Sequence, residues 1–224
     1  MIAVALDGPA GAGKSTIAKE AARRLGFLHV DTGALYRAVG LDALRRGADP
    51  KDPAQVLPFL EETRITLAFT PQGQRIFLRG EDVSQAIRTP EASMAASAVS
   101  AMPEVRRFLL GLQRDLAGKN NVIMDGRDIG TVVLPDAAVK IFLTADPRER
   151  ATRRYKELLA KGEPVEFDTV LREVEERDYN DSHRAAAPLR QAEDAWLCDT
   201  TGLTLEGSIR AVVDHVRQQS GVTP

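Results

Sequence analysis

The sequence predicts an α/β fold: a parallel sheet core with covering helices, a small antiparallel insert and an arginine-rich helical lid. Three observations predict it. The chain opens by alternating strand-like and helix-like segments. IAVALDG, NNVIMDG and AAVKIFLTA are short continuous apolar runs, as expected of strands buried on both faces of a parallel sheet. Between them, RITLAFT alternates Ile65, Leu67 and Phe69, then PQGQ offers a turn and RIFLRG resumes, which reads as an antiparallel hairpin.

In order, IAVALDG is the first strand, and residues 15–25 form a helix that Gly26 is placed to stop. FLHVDTG is the second strand, with His29 inside it, and residues 34–46 are the next helix. The insert covers about 57–84. Thr89-Pro90 starts a helical stretch toward Gly118, broken near Pro103. The strands NNVIMDG and AAVKIFLTA follow. Pro147 opens a charged helix toward Lys161, KGEPVEFD is a loop, and about 169–182 is helical again. AWLCDTTG is the last strand and turn, and 205–219 the last helix.

With 224 residues and 43% apolar composition, the chain can bury one sizeable core and still carry an insertion. A formal charge of −2 gives no reason for nonspecific attraction to nucleic acid or an anionic membrane. The one cysteine, Cys198, excludes an intrachain disulfide or a cysteine zinc cluster, and its apolar neighbours predict a buried thiol. His29, His183 and His215 lack metal-ligand spacing; His183 is expected on the surface beside the site and His215 on a helix surface. The opening apolar run has no basic segment before it and is too short for a membrane span, so a cytoplasmic protein is expected.

Chemistry enters at Gly8-Pro9-Ala10-Gly11-Ala12-Gly13-Lys14-Ser15, which fits G-x-x-x-x-G-K-[ST] between a strand and a helix. Small residues let backbone N–H groups converge on phosphate oxygens, and the helix N-terminus adds partial positive charge. Lys14 suits the β- and γ-phosphates, Ser15 suits Mg²⁺, and residues 8–16, through Thr16, are the expected ATP cradle. The motif predicts a nucleoside triphosphate site and leaves the reaction open. No N-K-x-D motif is present, which argues against a GTP switch.

Four further clusters bear on a small-molecule kinase. Asp31-Thr32-Gly33-Ala34-Leu35-Tyr36-Arg37 lies where the second strand ends, the usual ligand crevice of an open α/β sheet. Tyr36 can pack on a ring and Arg37 can fork onto a phosphate, although an amphipathic helix start explains the segment equally well. In Asp125-Gly126-Arg127-Asp128, the first acid can hold the water shell of Mg²⁺, Arg127 a phosphate and Asp128 a sugar hydroxyl; the plain alternative is a capping turn. Arg148, Arg150, Arg153 and Arg154 open the charged helix before a loop, which suggests a lid. Arg150 and Arg154 share a helical face and are the candidates for the transferring phosphoryl group; the alternative is a solvated face of Arg/Glu pairs. Finally, Arg177, Asp181 and Arg184 share one face of a helix, either as an ion-pair ladder or as ligands for a phosphate and a polar ring.

Together, DGPAGAGKST, DTGALYRA, GEDVS with IRT shortly after, DGRDIGTVV, KIFL and RDYNDSHRAAAPL span almost the whole chain. In these motifs the chain resembles bacterial cytidylate kinases, within the nucleoside monophosphate kinases. The resemblance implies a P-loop NTPase fold with a three-layer parallel sheet core, an acceptor-binding insert and a helical lid. It implies core segments 1–56, 85–146 and 183–224, an insert at about 57–84, a lid at about 147–168 and a base-reading helix at about 169–182. It implies transfer of the γ-phosphoryl group of ATP, with Mg²⁺, to CMP or dCMP. Thr32, Tyr36 and Arg37 then fall beside the acceptor nucleotide. Ser97 and Asp181 face the cytosine edge, and Arg184 supports that end. Arg106, Arg127 and Arg177 serve the acceptor phosphate or the transfer centre, and Asp128 the ribose. Arg127 joins Lys14, Arg150 and Arg154 as catalytic candidates, and Asp125 joins Ser15 at the metal. A monomer is also implied. The rival readings are a kinase of another acceptor such as UMP, and a P-loop regulator that binds ATP without turnover.

Overall fold

The computed structural model describes residues 1–70, 73–160 and 162–221. Residues 71–72 of the expected turn PQGQ and Lys161 of the loop KGEPVEFD lie outside the described residues.

The main sheet has five parallel strands: β1 (Ala3–Asp7), β2 (Leu28–Asp31), β6 (Val122–Asp125), β7 (Val139–Thr144) and β8 (Trp196–Asp199). Their spatial order is β2-β6-β1-β7-β8. Alternation along β1 explains its continuous apolar run. Val4 and Leu6 face one side, with helices α1 (Lys14–Leu25) and α8 (Leu205–Ser220); Ala5 faces the other, with Met124 and Ala117. Both faces are covered, so the strand is apolar up to Asp7 at its end. Ala117 belongs to α5 (Pro103–Lys119), which follows α4 (Pro90–Val99) after a break at Pro103. Cys198 is buried in the first of these layers.

Helix α2 (Thr32–Arg45) begins two residues earlier than its pattern predicts, because Asp31 caps it by accepting from the Ala34 N–H at 3.0 Å. It packs on α4 through Gly40, where an added Cβ would lie 2.8 Å from Ala95 Cβ. The insert is larger than the expected hairpin. Helix α3 (Pro53–Leu60), capped by Asp52, leads into it, and three antiparallel strands follow, β3 (Ile65–Thr70), β4 (Gly73–Leu78) and β5 (Glu81–Asp82). The buried Asp42 of α2 ties it down. It accepts from Arg79 at 2.6 Å and Thr63 at 2.8 Å.

Helices α6 (Pro147–Ala160) and α7 (Phe167–His183) pair through a small core of their own, built on Ala151, Leu158, Val170 and Val174. Tyr155 and Phe167 meet edge to face across it, 5.8 Å between centroids. His29 does lie in β2, His183 is exposed against Tyr179, and His215 of α8 is half-buried under Trp196. Among the described residues no helix is long and apolar enough to cross a membrane.

Candidate active site

The segment between β1 and α1 is wrapped so tightly that glycine is obligatory at its start. Gly8 has φ +147°, and a Cβ there would fall 1.9 Å from the Leu143 carbonyl oxygen. Gly11 and Gly13 also hold positive φ, leaving the backbone curled at the open N-terminus of α1. Lys14 folds back over this curl and donates to the Pro9 carbonyl at 2.7 Å. Burial, then the charge of Arg127, holds its pKa well below the ordinary lysine value.

The curl borders a cleft of about 280 Å³ at the carboxyl ends of the strands. The cleft gathers Ala10, Gly11, Gly13, Lys14, Ser15 and Thr16 with Thr32, Tyr36, Arg37, Ser97, Arg106, Asp125, Arg127, Asp128, Arg177, Asp181 and Arg184. These residues come from segments spread over most of the chain; motifs and spacing singled out most of them, and the resemblance added Ser97 and Arg106. The remaining cradle residues Gly8, Pro9 and Ala12 are buried beneath the loop.

Six cations line the cleft (Lys14, Arg37, Arg106, Arg127, Arg177, Arg184) against four carboxylates (Asp31, Asp125, Asp128, Asp181). The acids hold most of the arginines. Asp31 accepts from Arg37 at 2.7 Å and Asp181 from Arg127 at 2.7 Å. Asp128 accepts from Arg106 and, at 3.5 Å, from Arg184. Arg106 also sits over the Tyr36 ring, 5.6 Å from its centroid. Burial would raise the Asp181 pKa, but Arg127, Arg177 and Arg184 outweigh it and keep the carboxylate below its usual range. Arg177 makes no ion pair among the described residues. Desolvation in the crowded cleft, then repulsion from Arg127, pushes its pKa down. An anion added beside it would relieve that repulsion.

Asp125 organises the other end. Its Oδ2 accepts from Ser15 Oγ at 2.6 Å and its Oδ1 from His29 Nε2 at 2.8 Å. Burial pushes its pKa up, but these two hydrogen bonds and Lys14 outweigh that, so the group is a charged carboxylate beside a hydroxyl. Just behind, Asp7 at the end of β1 accepts from the Ile129 N–H at 2.8 Å and the Gly130 N–H at 2.7 Å. It thereby pins the single π-helical turn Ile129–Val133 that follows Arg127 and Asp128.

The lid arginines depart from expectation. Arg150 is only 3% exposed and its guanidinium is fully committed: to the Ala145 carbonyl at 2.9 Å, the Ala10 carbonyl at 2.8 Å and Asp178 at 2.6 Å. It braces α6 and α7 against the phosphate loop and does not line the cleft. Arg154, one turn on, has its side chain 42% exposed, pairs with Glu157 at 3.2 Å and does not line the cleft, though its charge is felt by Arg177. The face they share leans on the loop, so its inner member is buried and its outer member is not. Several site residues escaped the sequence reading. Ser93 and Ser100 also line the cleft, and their helical spacing from Ser97 was an available signal. Asp7 was signalled by an acid ending an apolar strand. His29 carried no signal, because its partner, on the adjacent strand β6, lies 96 residues away in the sequence.

Comparison with known proteins identifies the family. The family described as Cytidylate kinase matches residues 4–218. A cytidylate kinase of Carboxydothermus hydrogenoformans is 49% identical over 219 residues, covering 98% of this chain and 99% of its own length. One from Caldicellulosiruptor bescii is 51% identical over 213 residues, covering 95% and 94%. An uncharacterized protein of Eubacterium ventriosum shares the fold alone, with a TM-score of 0.54 at 12% identity over 96% of this chain and 98% of that one. With a family match over nearly its full length and relatives at about half identity, the chain belongs to the cytidylate kinase family.

Proposed function

We propose that the cleft between the phosphate loop and the arginine cluster is where this chain works as a cytidylate kinase. It transfers the γ-phosphoryl group of ATP to CMP or dCMP, giving ADP and CDP or dCDP. The observation that carries the placement is that Lys14 and the acceptor-side arginines share one cavity. Residues 8–16 hold the triphosphate, with Lys14 leaving the Pro9 carbonyl for the β- and γ-phosphates. Arg177, which lacks an ion pair among the described residues, receives the acceptor phosphate together with Arg37, Arg106 and Arg127. Asp128 holds ribose hydroxyls beside Thr32 and Tyr36. Asp181, with Ser97 and Arg184 near it, accepts from the exocyclic amine of cytosine, which the carbonyl of uracil cannot match.

The acceptor oxygen attacks the γ-phosphorus in line. It is already anionic near neutral pH, so no side chain has to act as a strong base. Catalysis comes from alignment and from guanidinium and ammonium groups fixed where negative charge spreads. Ser15 Oγ and the ionised Asp125 form a hard oxygen pair at the phosphate end, which fits Mg²⁺ held through few protein ligands. When bound there, Mg²⁺ supplies charge neutralisation on the phosphates. We assign 1–56, 85–146 and 183–224 to the core, about 57–84 to the acceptor insert and about 147–168 to the lid. Arg150 acts on catalysis by bracing the loop, and closure of α6 and α7 carries Arg154 toward the transferred group.

The chain acts in this reading as a monomer in the cytoplasm, where its nucleotide substrates are. A coupled assay of ADP release tests the placement. Arg177→Ala should raise KM for CMP by about tenfold or more, leaving KM for ATP near its original value. An equal effect on both, or none, would refute it.

A further inference from the structure

Gln74 stands on β4 of the insert, yet its side chain leaves the insert and pairs with the core. Its Nε2 donates to the Asp31 carbonyl at 3.2 Å, and its Oε1 accepts from the Asp31 N–H at 3.0 Å. The amide therefore copies a peptide unit of a neighbouring strand. It matches one donor and one acceptor to the free edge of β2, the outermost strand of the main sheet. Two contacts seat the hairpin at the same place. Phe69 packs against the core cluster that contains Val30, and Gly73, at φ +125°, lies close to Lys19 of α1.

Covering a sheet edge would explain this contact if Asp31 did nothing else. Asp31 is instead the hub of the acceptor side. Oδ1 accepts from the Ala34 N–H at 3.0 Å, fixing the start of α2, and Oδ2 accepts from Arg37 at 2.7 Å. Arg37 Nε is buried without a hydrogen-bond partner, so the setting of this guanidinium depends on the Asp31 carboxylate. A continuous chain of hydrogen bonds thus runs from the insert, through Gln74 and Asp31, to Arg37 in the cleft.

We infer that Gln74 is a positioning residue for the acceptor nucleotide: it holds Asp31, and through it Arg37, in the setting that receives the acceptor phosphate. The seat of the insert is then a determinant of nucleoside monophosphate affinity, while the triphosphate cradle is untouched. This rests on the reading of Arg37 as a phosphate ligand.

The test is a double-mutant cycle on full-length protein, measuring KM for CMP and for ATP in wild type, Gln74→Met, Arg37→Ala and the double variant. Methionine keeps the length of glutamine and removes both hydrogen bonds. Gln74→Met should raise KM for CMP by about 5–20-fold and leave KM for ATP within about twofold. In the Arg37→Ala background, where the chain has lost its last member, the same change should shift KM for CMP by less than about twofold. Gln74→Glu, which keeps the acceptor but turns a carboxylate oxygen toward the Asp31 carbonyl, should weaken CMP at least as much as Gln74→Met. An unchanged KM for CMP in Gln74→Met, or two effects that multiply in full, overturns the inference while leaving the cleft as placed. If Arg37→Ala itself leaves KM for CMP unchanged, the acceptor phosphate does not sit at Arg37, and both readings fall.

Discussion

Asp7 ends the first strand with both carboxylate oxygens committed to backbone N–H groups of the turn that follows Asp128. Burial, only partly offset by those bonds, pushes its pKa up from 3.8 to about 6. A carboxyl that is easier to protonate in the fold than in the unfolded chain stabilises the fold most at low pH. Its contribution is complete below about pH 4 and is lost as pH rises through about 6, a swing of up to about 3 kcal/mol. Urea melts of wild type and Asp7→Asn between pH 4 and 7.5 should show the difference moving toward the variant as pH rises. A constant difference would contradict the assignment. Lys14 has the opposite character, a buried cation whose desolvation depresses its pKa. Lys14→Ala should lower kcat by about two orders of magnitude or more without lowering the melting temperature, and near-normal turnover would count against its role. The chemistry at this scale was legible in the sequence where a motif fixes spacing, as at 8–15 and 125–128. It was illegible where function depends on a neighbour from another part of the chain. Arg150 and Arg154 show why: periodicity gives their common face, but only the packing of α6 on Ala10 shows that one is a brace and the other a surface pair.

Helices α2 and α4 carry Tyr36, Arg37 and Ser97, and Gly40 sets their separation. An added methyl would lie 2.8 Å from Ala95 Cβ and 3.0 Å from backbone atoms of Ala95 and Ala96, so the helices must part. Gly40→Ala should therefore cost about 1–3 kcal/mol, visible as a melting temperature lower by roughly 2–10 °C. It should also raise KM for CMP more than KM for ATP, since only acceptor residues move. Unchanged melting and kinetics would mean that the helices are not held at this distance. The elements themselves were largely readable, because a strand buried on both faces and a helix ended by Gly26 leave plain patterns. The insert was less so. Helix α3 begins at Pro53 and contains a second proline, Pro58, while β5 is two residues long and follows a turn at Gly80. Neither is long enough to display a period.

Across the whole molecule, the parallel sheet with its helices and the α6–α7 pair on its own small core meet at one cleft, and the insert, clamped through Asp42 and Gln74, seats on the sheet beside it. Helices α2, α5 and α7 and the turn after β6 bring the acceptor arginines to the phosphate loop, and the internal carboxylates hold most of them in place. Asp181 is the pivotal case, paired with Arg127 in the structure and proposed to turn to cytosine once the acceptor phosphate engages that arginine. The most direct test is the ratio of kcat/KM for CMP to that for UMP, measured with ATP in wild type and Asp181→Ala. The ratio should collapse by about a hundredfold or more, driven by loss of CMP turnover rather than by gain of UMP. A variant that keeps the wild-type preference would contradict the account.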